Sequence, residues 1–185
     1  MYDDCLTFTG KESEFTLKAT YKDWNGTLMW STDHSSWTTL TGTEEIQSVD
    51  RKLYLRGKGN TLFSKTGFGV YWKLSAKADC TGNIQTLLDW ENPPASVAKQ
   101  CFFAMFKDCA NLTSAPELPA TTLADSCYKW MFKGCRKLKV NTSSGYKIFT
   151  CPSTIPNGAV TDMFTDTGGS FKGTPTAGNT YYWTE

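Results

Sequence analysis

Two segments of this chain repeat each other, and this repeat constrains the fold more than any other feature of the sequence. CFFAMFKDCANL begins at Cys101 and CYKWMFKGCRKL begins at Cys127, so the segments lie 26 residues apart and are identical at 6 of 12 positions. A weaker third copy, VTDMFTDTGGSF, places Met163 and Phe164 where the first two segments have Met-Phe pairs. A repeat this short is typical of folds in which similar units stack in a solenoid.

Within each repeat the apolar residues recur at spacings of three and four, which predicts one amphipathic helix per unit. The first helix is expected in ASVAKQCFFAMFKDC and the second in TTLADSCYKWMFKGC, where Gly134 suits a helix end. Pro116 and Pro119 favour an extended path after the first helix. Ile84, Leu87 and nearby residues predict a short helix or turn at the start of the repeat region, and the aromatic tail GTPTAGNTYYWTE is interpreted as its C-terminal cap.

Before the repeat, the sequence has the period of two that predicts β-strands. Phe15, Leu17, Ala19 and Tyr21 alternate with polar residues, and WSTDHSSWTTL is typical of a hairpin. Glycines separate the strands at positions 10, 26, 42, 57, 59 and 67. Short strands at roughly ten-residue spacing favour a small antiparallel β-sandwich.

The bulk composition limits the partners to expect. The chain has 185 residues, 19 basic and 18 acidic, with a net charge of +1, so nothing favours nucleic acid or an anionic membrane as partner. No apolar run is long enough for membrane insertion, and the first residues lack the features of a secretory signal. The seven cysteines are an odd number, which argues against a fully paired disulfide framework, and a Cys5–Cys80 bridge stays open.

In the repeats, Phe106, Cys109 and Leu112 form a Phe-x-x-Cys-x-x-Leu pattern that recurs at Phe132, Cys135 and Leu138. With the linker LPATTLA and the ending TYYWTE, this pattern resembles the BspA-type leucine-rich repeats of gut bacteria and their phages. The upstream KLYLRGKG resembles the small β-domain that often precedes such repeats. The resemblance implies an α+β, mostly β fold: an immunoglobulin-like β-sandwich in residues 1–80 and a short leucine-rich-repeat-like solenoid with helices and a C-terminal cap in residues 81–185.

Four tryptophans are the candidate partner-binding residues, because exposed indoles stack on sugars and anchor protein interfaces. They are Trp37, Trp90, Trp130 and Trp183. Trp130 stands where the preceding unit has Ala104, beside the Met-Phe face, and a large aromatic there favours contact with a partner. The alternative for Trp130 is packing against a neighbouring part of this chain.

Other residue patterns that suggest chemistry have simpler explanations. His34 lies between Asp33 and Ser35, but adjacent residues in a turn do not converge as a hydrolase triad does, and an exposed turn residue is expected. The cysteine pairs of the repeats are too widely spaced for a zinc site and are expected to be buried packing residues. Asp89 and Glu91 beside Trp90 resemble a glycosidase carboxylate pair, yet a solvated loop explains them as well. No catalytic residue, metal or cofactor is therefore predicted.

These observations predict a non-enzymatic structural or attachment protein on the exterior of a bacteriophage virion, such as a head decoration or fibre component. Its partners would be other virion or surface proteins, and homo-oligomerisation stays open. The alternatives are a bacterial cell-surface adhesin and a carbohydrate-binding module, for which the partner would be a host protein or glycan.

Overall fold

The computed structural model describes residues 4–63 and 71–185 and shows a β-rich fold. Gly67, one of the glycines expected to separate strands, lies outside the described residues. The strands are β1 (Leu6–Gly10), β2 (Thr16–Ala19), β3 (Thr27–Ser31), β4 (Thr38–Thr39), β5 (Ile46–Gln47), β6 (Lys52–Lys58), β7 (Trp72–Leu74), β8 (Ala78–Thr81), β9 (Lys139–Asn141), β10 (Tyr146–Thr150), β11 (Gly168–Gly169) and β12 (Thr180–Trp183).

Helix is almost absent from the described part of the chain. Its one helical segment is a 3-10 helix at Ile84–Leu87, where the Asn83 side chain accepts a hydrogen bond from the backbone N–H of Gln85. This segment is the short helix or turn expected at the start of the repeat region. No helix in the described residues is long and apolar enough to cross a membrane.

Two antiparallel sheets contain the strands up to residue 81. The larger sheet has the order β4-β3-β6-β1-β8 and the smaller has the order β5-β2-β7. Every second residue is buried in β1, β2, β6 and β7, as Leu53 and Leu55 of β6 and Leu17 of β2 show. This alternation is what a sheet with one solvated face requires, and the arrangement is consistent with a β-sandwich.

A third sheet lies near the C-terminus and has the order β10-β12-β9-β11. The aromatic tail forms β12, which pairs with β10 on one side and β9 on the other, both antiparallel. β11 pairs with β9 in parallel. The tail is therefore an inner strand of a sheet, held by backbone hydrogen bonds on both edges.

The repeats do not form helices, so the predicted α+β fold with a helical solenoid is wrong. Residues 98–109, 124–135 and 156–167 form three ribbons of consecutive tight turns. Within a ribbon, every second N–H donates to the carbonyl three residues earlier, as from Met105 to Phe102. The remaining N–H groups of the first two ribbons donate to carbonyls of the next ribbon, as from Phe106 to Met131 and from Phe132 to Met163.

The backbone reason for the ribbon is a left-handed residue at every fourth position. The nine positions with positive φ are Gln100, Ala104, Asp108, Ser126, Trp130, Gly134, Gly158, Asp162 and Asp166. A residue in that conformation interrupts a right-handed helix, so the chain turns in units of four instead of winding continuously. An apolar period of four differs from the helical 3.6 by about 40° per step, and over two steps the two patterns look alike.

Stacking of the ribbons aligns their buried aromatic rings. Phe132 lies between Phe106 and Phe164, with ring centroids 5.7 Å apart on each side and planes within 7° of parallel. Phe102 stacks on Tyr128 in the same way, with centroids 6.1 Å apart. Met131 and Phe132 are fully buried, as predicted for core residues. One hydrophobic cluster extends from Leu6 of β1 through the ribbons to Trp183 of β12.

Candidate partner-binding surfaces

The four predicted tryptophans lie in different surroundings. Trp37, Trp90 and Trp130 are half-buried, and Trp183 is only 6% exposed. Trp37 and Trp90, which are far apart in sequence, meet over β6, whereas Trp130 lies on the second ribbon. The structure therefore brings two of the four together and leaves Trp130 and Trp183 in separate places.

Trp130 occupies a position that its backbone does not favour. Its φ is +59°, and it is the one large aromatic among the nine left-handed positions of the ribbons. A left-handed conformation costs an ordinary residue roughly 1–2 kcal/mol. The Nε1 atom of the indole is also buried without a hydrogen-bond acceptor among the described residues. Two unfavourable features at one residue are typical of positions kept for a reason other than stability.

Three lysines surround the Trp130 ring, and we call these four residues the lysine–tryptophan surface. The Nζ atoms of Lys107, Lys129 and Lys133 lie 5.7, 4.9 and 5.6 Å from the ring centroid. The Phe103 ring supports the indole with a centroid distance of 5.3 Å. Ammonium groups at these distances are attracted by the electron-rich face of an indole.

The charge on the lysine–tryptophan surface is only partly compensated. Lys107 lies 3.6 Å from a carboxylate oxygen of Asp108, and Lys133 lies 3.8 Å from one of Asp162. No carboxylate of the described residues lies within ion-pair distance of Lys129. The surface therefore carries a local excess of positive charge around an aromatic ring, although the whole chain is nearly neutral.

The second surface is an arginine held between two indoles, and we call Trp37, Arg56 and Trp90 the arginine sandwich. The guanidinium carbon of Arg56 lies 3.9 Å from the Trp37 ring centroid and 4.0 Å from that of Trp90. Arg56 belongs to β6, where it alternates with buried residues and therefore points to the outer face of the larger sheet. Burial lowers the pKa of Arg56 from its usual range, although the group remains charged.

The turn between β3 and β4 positions Trp37. One carboxylate oxygen of Asp33 accepts hydrogen bonds from the backbone N–H groups of Ser35 and Ser36, at 2.8 and 2.7 Å, and from the Ser31 hydroxyl. These bonds, those of the Ser36 backbone first, hold the pKa of Asp33 far below its usual range. The side chain of Asp33 thus fixes a tight turn in the way that Asp commonly does, and Trp37 follows at its end.

The 3-10 helix positions Trp90, and its close approach to β6 requires a glycine. A Cβ atom added at Gly57 would lie 1.8 Å from the carbonyl oxygen of Leu87, so no other residue fits without displacing the backbone. The buried Asn60 side chain donates to the same Leu87 carbonyl at 2.9 Å. The N–H of Trp90 then donates to the Gly57 carbonyl at 3.0 Å, which places the indole beside Arg56.

His34 differs from the exposed turn residue that was expected. It is half-buried, and its Nε2 atom lies 3.2 Å from Sγ of Cys5. Its ring packs against Tyr54, with centroids 4.7 Å apart, and against the edge of Trp37 at 5.8 Å. The Cys5 side chain is itself buried, with 5% exposure, so the pair lies at the edge of the core next to Trp37.

Trp183 of β12 is covered by another aromatic residue. The Tyr146 ring stacks on it with a centroid distance of 4.5 Å and an interplanar angle of 19°. Tyr146 is 62% exposed, so the aromatic face that solvent reaches here belongs to the tyrosine. A partner contact at Trp183 stays a prediction, and it would include Tyr146.

The cysteines lie in the core. All seven are buried and none is joined to another in a disulfide, so Cys5 and Cys80 form no bridge with each other. Burial raises the pKa of Cys101 to about 12 and those of Cys109 and Cys127 to about 11. Among the described residues no group of three or more His, Cys, Asp or Glu side chains is arranged to hold a metal ion.

Asp89 and Glu91 both form ion pairs with Lys58, at 3.2 Å for Asp89. Asp89 also accepts hydrogen bonds from the backbone N–H groups of Glu91 and Asn92. These contacts shape a loop, as the simpler interpretation of the pair expected.

Sequence reasoning missed Arg56 and the three lysines around Trp130. A usable signal exists for Arg56, because in KLYLRGKG the apolar Leu53 and Leu55 alternate with Tyr54 and Arg56, which a strand would point outward. A signal for the lysines also exists, since Lys107 and Lys133 are the Lys that both repeats share, three residues after the Ala104 and Trp130 position, and Lys129 directly precedes Trp130. The pairing of Arg56 with Trp37 and Trp90 depends on tertiary structure and has no local signal.

The chain matches no protein-family model, no curated protein and no solved structure. The resemblance to BspA-type leucine-rich repeats is therefore wrong. No homologue supports it, and a β-rich fold without α-helices among its described residues does not fit a leucine-rich-repeat protein.

Proposed function

We propose that this protein is a non-enzymatic attachment protein that docks on a neighbouring protein, with the exterior of a bacteriophage particle as its setting. The docking role is inferred from the position of Trp130. Its indole occupies a left-handed backbone position and is surrounded by three lysines on the outside of the ribbon stack. The particle setting is an inference from the sequence, and the β-rich fold of the described residues is compatible with it.

The chemistry of the lysine–tryptophan surface defines the partner. Tryptophan is among the residues that contribute most to protein interfaces when its ring becomes fully desolvated. The excess positive charge left by Lys129 favours an acidic patch on the partner, which would also speed association. The partner is therefore a protein surface with an apolar contact for the indole and carboxylates around it.

The test of docking compares binding with stability. Trp130→Gly removes the indole and places at this left-handed position the residue that adopts it most easily. We expect Trp130→Gly to unfold at nearly the same denaturant concentration as the native chain and to lose binding to particles. Trp37→Ala is the matched control, since it removes an indole from the other surface.

The measurement is rebinding to purified particles from the culture that expresses the gene. Gold-labelled antibody first shows whether the protein lies on the particle exterior, and particles stripped of it are then incubated with each variant and sedimented. Particles that never carry the protein would overturn the virion setting. Equal rebinding of native chain and Trp130→Gly would overturn the docking role of Trp130.

Carbohydrate binding is the second candidate function, and the arginine sandwich favours it. The two indoles lie on the outer face of the larger sheet and are half-buried, so they keep apolar ring surface that a sugar can contact. A glycan array probed with the whole protein tests this function. Binding that disappears in Trp37→Ala would support it, and signal at background level for every glycan would exclude it. Binding to host glycans by an exported bacterial adhesin would give the same array result, and a leader or lipobox encoded upstream in frame would indicate that setting.

A further inference from the structure

The arginine sandwich has an unusual arrangement of hydrogen-bonding groups. Both faces of the Arg56 guanidinium are covered by indoles, at 3.9 and 4.0 Å. Its N–H donors all lie in the plane between these faces. No acceptor of the described residues bonds to any of them, and Nε is buried. Arginine side chains that are held rigidly usually bond to a carboxylate or a backbone carbonyl, because unmet buried donors are unfavourable.

The two carboxylates of the loop beside Trp90 do not fill this role. Glu91 favours the charged form of Arg56 through space, yet its carboxylate bonds to Lys58. Asp89 also pairs with Lys58, at 3.2 Å, and with the backbone of its own loop. Lys58 therefore neutralises part of the acidic loop, and Arg56 keeps a donor edge that is oriented by stacking and has no partner.

We propose that the arginine sandwich is a receptor for an acidic sugar, in which Arg56 binds the sugar carboxylate and Trp37 and Trp90 contact the sugar ring. This inference deepens the carbohydrate-binding candidate and rests on it. A guanidinium presents parallel N–H groups that match the two oxygens of a carboxylate. Stacking holds that group in place before the ligand arrives, so little side-chain freedom is lost on binding.

The same geometry predicts discrimination against related ligands. A neutral sugar would contact the indoles and leave the donors of Arg56 without a charged acceptor. A simple carboxylate such as acetate would bond to Arg56 and leave the indoles without a ring to contact. Only a ligand with both features uses the whole site, so glucuronate is expected to bind at least about tenfold more tightly than glucose or acetate.

Nuclear magnetic resonance of the arginine Nε–H groups tests the proposal directly. The chain has three arginines, Arg51, Arg56 and Arg136, so only three such signals are expected and variants assign them. Titration of the whole protein with glucuronate should shift the Arg56 signal and leave that of Arg136 in place. An unmoved Arg56 signal would overturn the proposal, and so would an equally strong response to acetate, because the sugar ring would then contribute nothing.

Arg56→Lys keeps the positive charge and removes the planar donor edge, so its affinity for glucuronate should fall at least about tenfold. Arg136→Lys is the matched control and should bind as the native chain does, since Arg136 is exposed and lies outside the sandwich. Unchanged affinity in Arg56→Lys would overturn the proposal. If that variant does not fold, the titration of the native protein with glucuronate still tests the proposal. A glycan array on which neutral glycans bind as well as acidic ones would support the carbohydrate-binding function and overturn only the proposal of an acidic-sugar receptor.

Discussion

The antiparallel sheets of residues 6–81 and the three turn ribbons bury aromatic residues by different means. In the sheets, side chains alternate between faces, and opposite residues on neighbouring strands differ, as Phe8 does from Leu53. In the ribbons, equivalent residues lie above one another, so Phe106, Phe132 and Phe164 form a continuous stack. A ring in the middle of that stack supports two others, and the ribbons should therefore respond to mutation as a unit.

The largest effect is expected for Phe132→Ala. The ring is fully buried and stacked on both sides, so its removal should lower the free energy of unfolding by about 3–5 kcal/mol. Urea denaturation measures the loss. Hydrogen exchange then tests the comparison, because the amides of Phe106 and Phe132, which donate to neighbouring ribbons, should both exchange faster.

Phe15→Ala is the control for that experiment, since Phe15 is equally buried but lies directly before β2, with its backbone bonded to Ser48 in the sheet region. It should cost a similar free energy without selectively speeding exchange at Phe132. A nearly unchanged free energy of unfolding in Phe132→Ala would contradict the view that the ribbons respond as a unit. Faster hydrogen exchange at the ribbon amides in both variants would contradict it too.

Gly134→Ala should reveal the left-handed backbone of the ribbons. Gly134 has a φ of +79°, and an added Cβ would lie 2.2 Å from a carboxylate oxygen of Asp108. The expected loss is about 1–2 kcal/mol. Gly42→Ala in the sheet region is the control, because its added Cβ would meet Glu44 only at an ordinary 3.5 Å. Thermal melting that places both variants within error of the native chain would contradict this account.

The difference between the sheets and the ribbons also explains which parts of the fold can be predicted from the sequence. A period of two has one common structural meaning, so the strands before residue 81 are visible in the pattern of Phe15, Leu17 and Ala19. The apolar pattern of Cys101, Phe102, Met105 and Phe106 fits two structures, because a helix and a ribbon of four-residue turns bury the same four side chains. The burial of Met131 and Phe132 is thus predicted correctly, while the backbone that buries them is not.

The missed signal lies in the residues between the apolar ones. Asp108, Gly134, Gly158 and Asp162 are of the types that accept a left-handed conformation, and within each ribbon the left-handed positions lie four residues apart. Reading those positions together with the apolar ones would favour turns over a helix. The two candidate sites differ in how much of them the sequence reveals. Trp130 is conspicuous because a large aromatic is unusual at a left-handed position, whereas residues 37, 56 and 90 of the arginine sandwich come together only through tertiary contacts.

Alkaline pH should test whether the ribbon core excludes water. Burial raises the pKa of Cys127 to about 11 and that of Cys101 to about 12, from an ordinary value of 9.0. The folded chain then keeps protons that the unfolded chain releases. Below about pH 9 these thiols leave stability unchanged, and above it each lowers the free energy of unfolding by up to about 1.4 kcal/mol per pH unit.

Denaturation curves recorded from neutral to alkaline pH measure this effect. The curve of Cys127→Ala, normalised to its own stability at neutral pH, should fall less steeply than that of the native chain, because one titrating thiol is gone. Parallel curves would mean that the thiol reaches solvent in the folded state and that the ribbons are less closed than the sheets.

The smallest effect is also the most specific, because two adjacent residues should respond with opposite signs. Gln100 has a φ of +59°, whereas Lys99 does not have a positive φ. Gln100→Gly should relieve left-handed strain and raise the free energy of unfolding by about 0.5 kcal/mol. Lys99→Gly only adds freedom to the unfolded chain and should lower it by about 0.5–1 kcal/mol. Both side chains reach solvent, so little packing is lost in either case. In a helix both substitutions would destabilise, and urea denaturation showing losses at both positions would therefore contradict the ribbon.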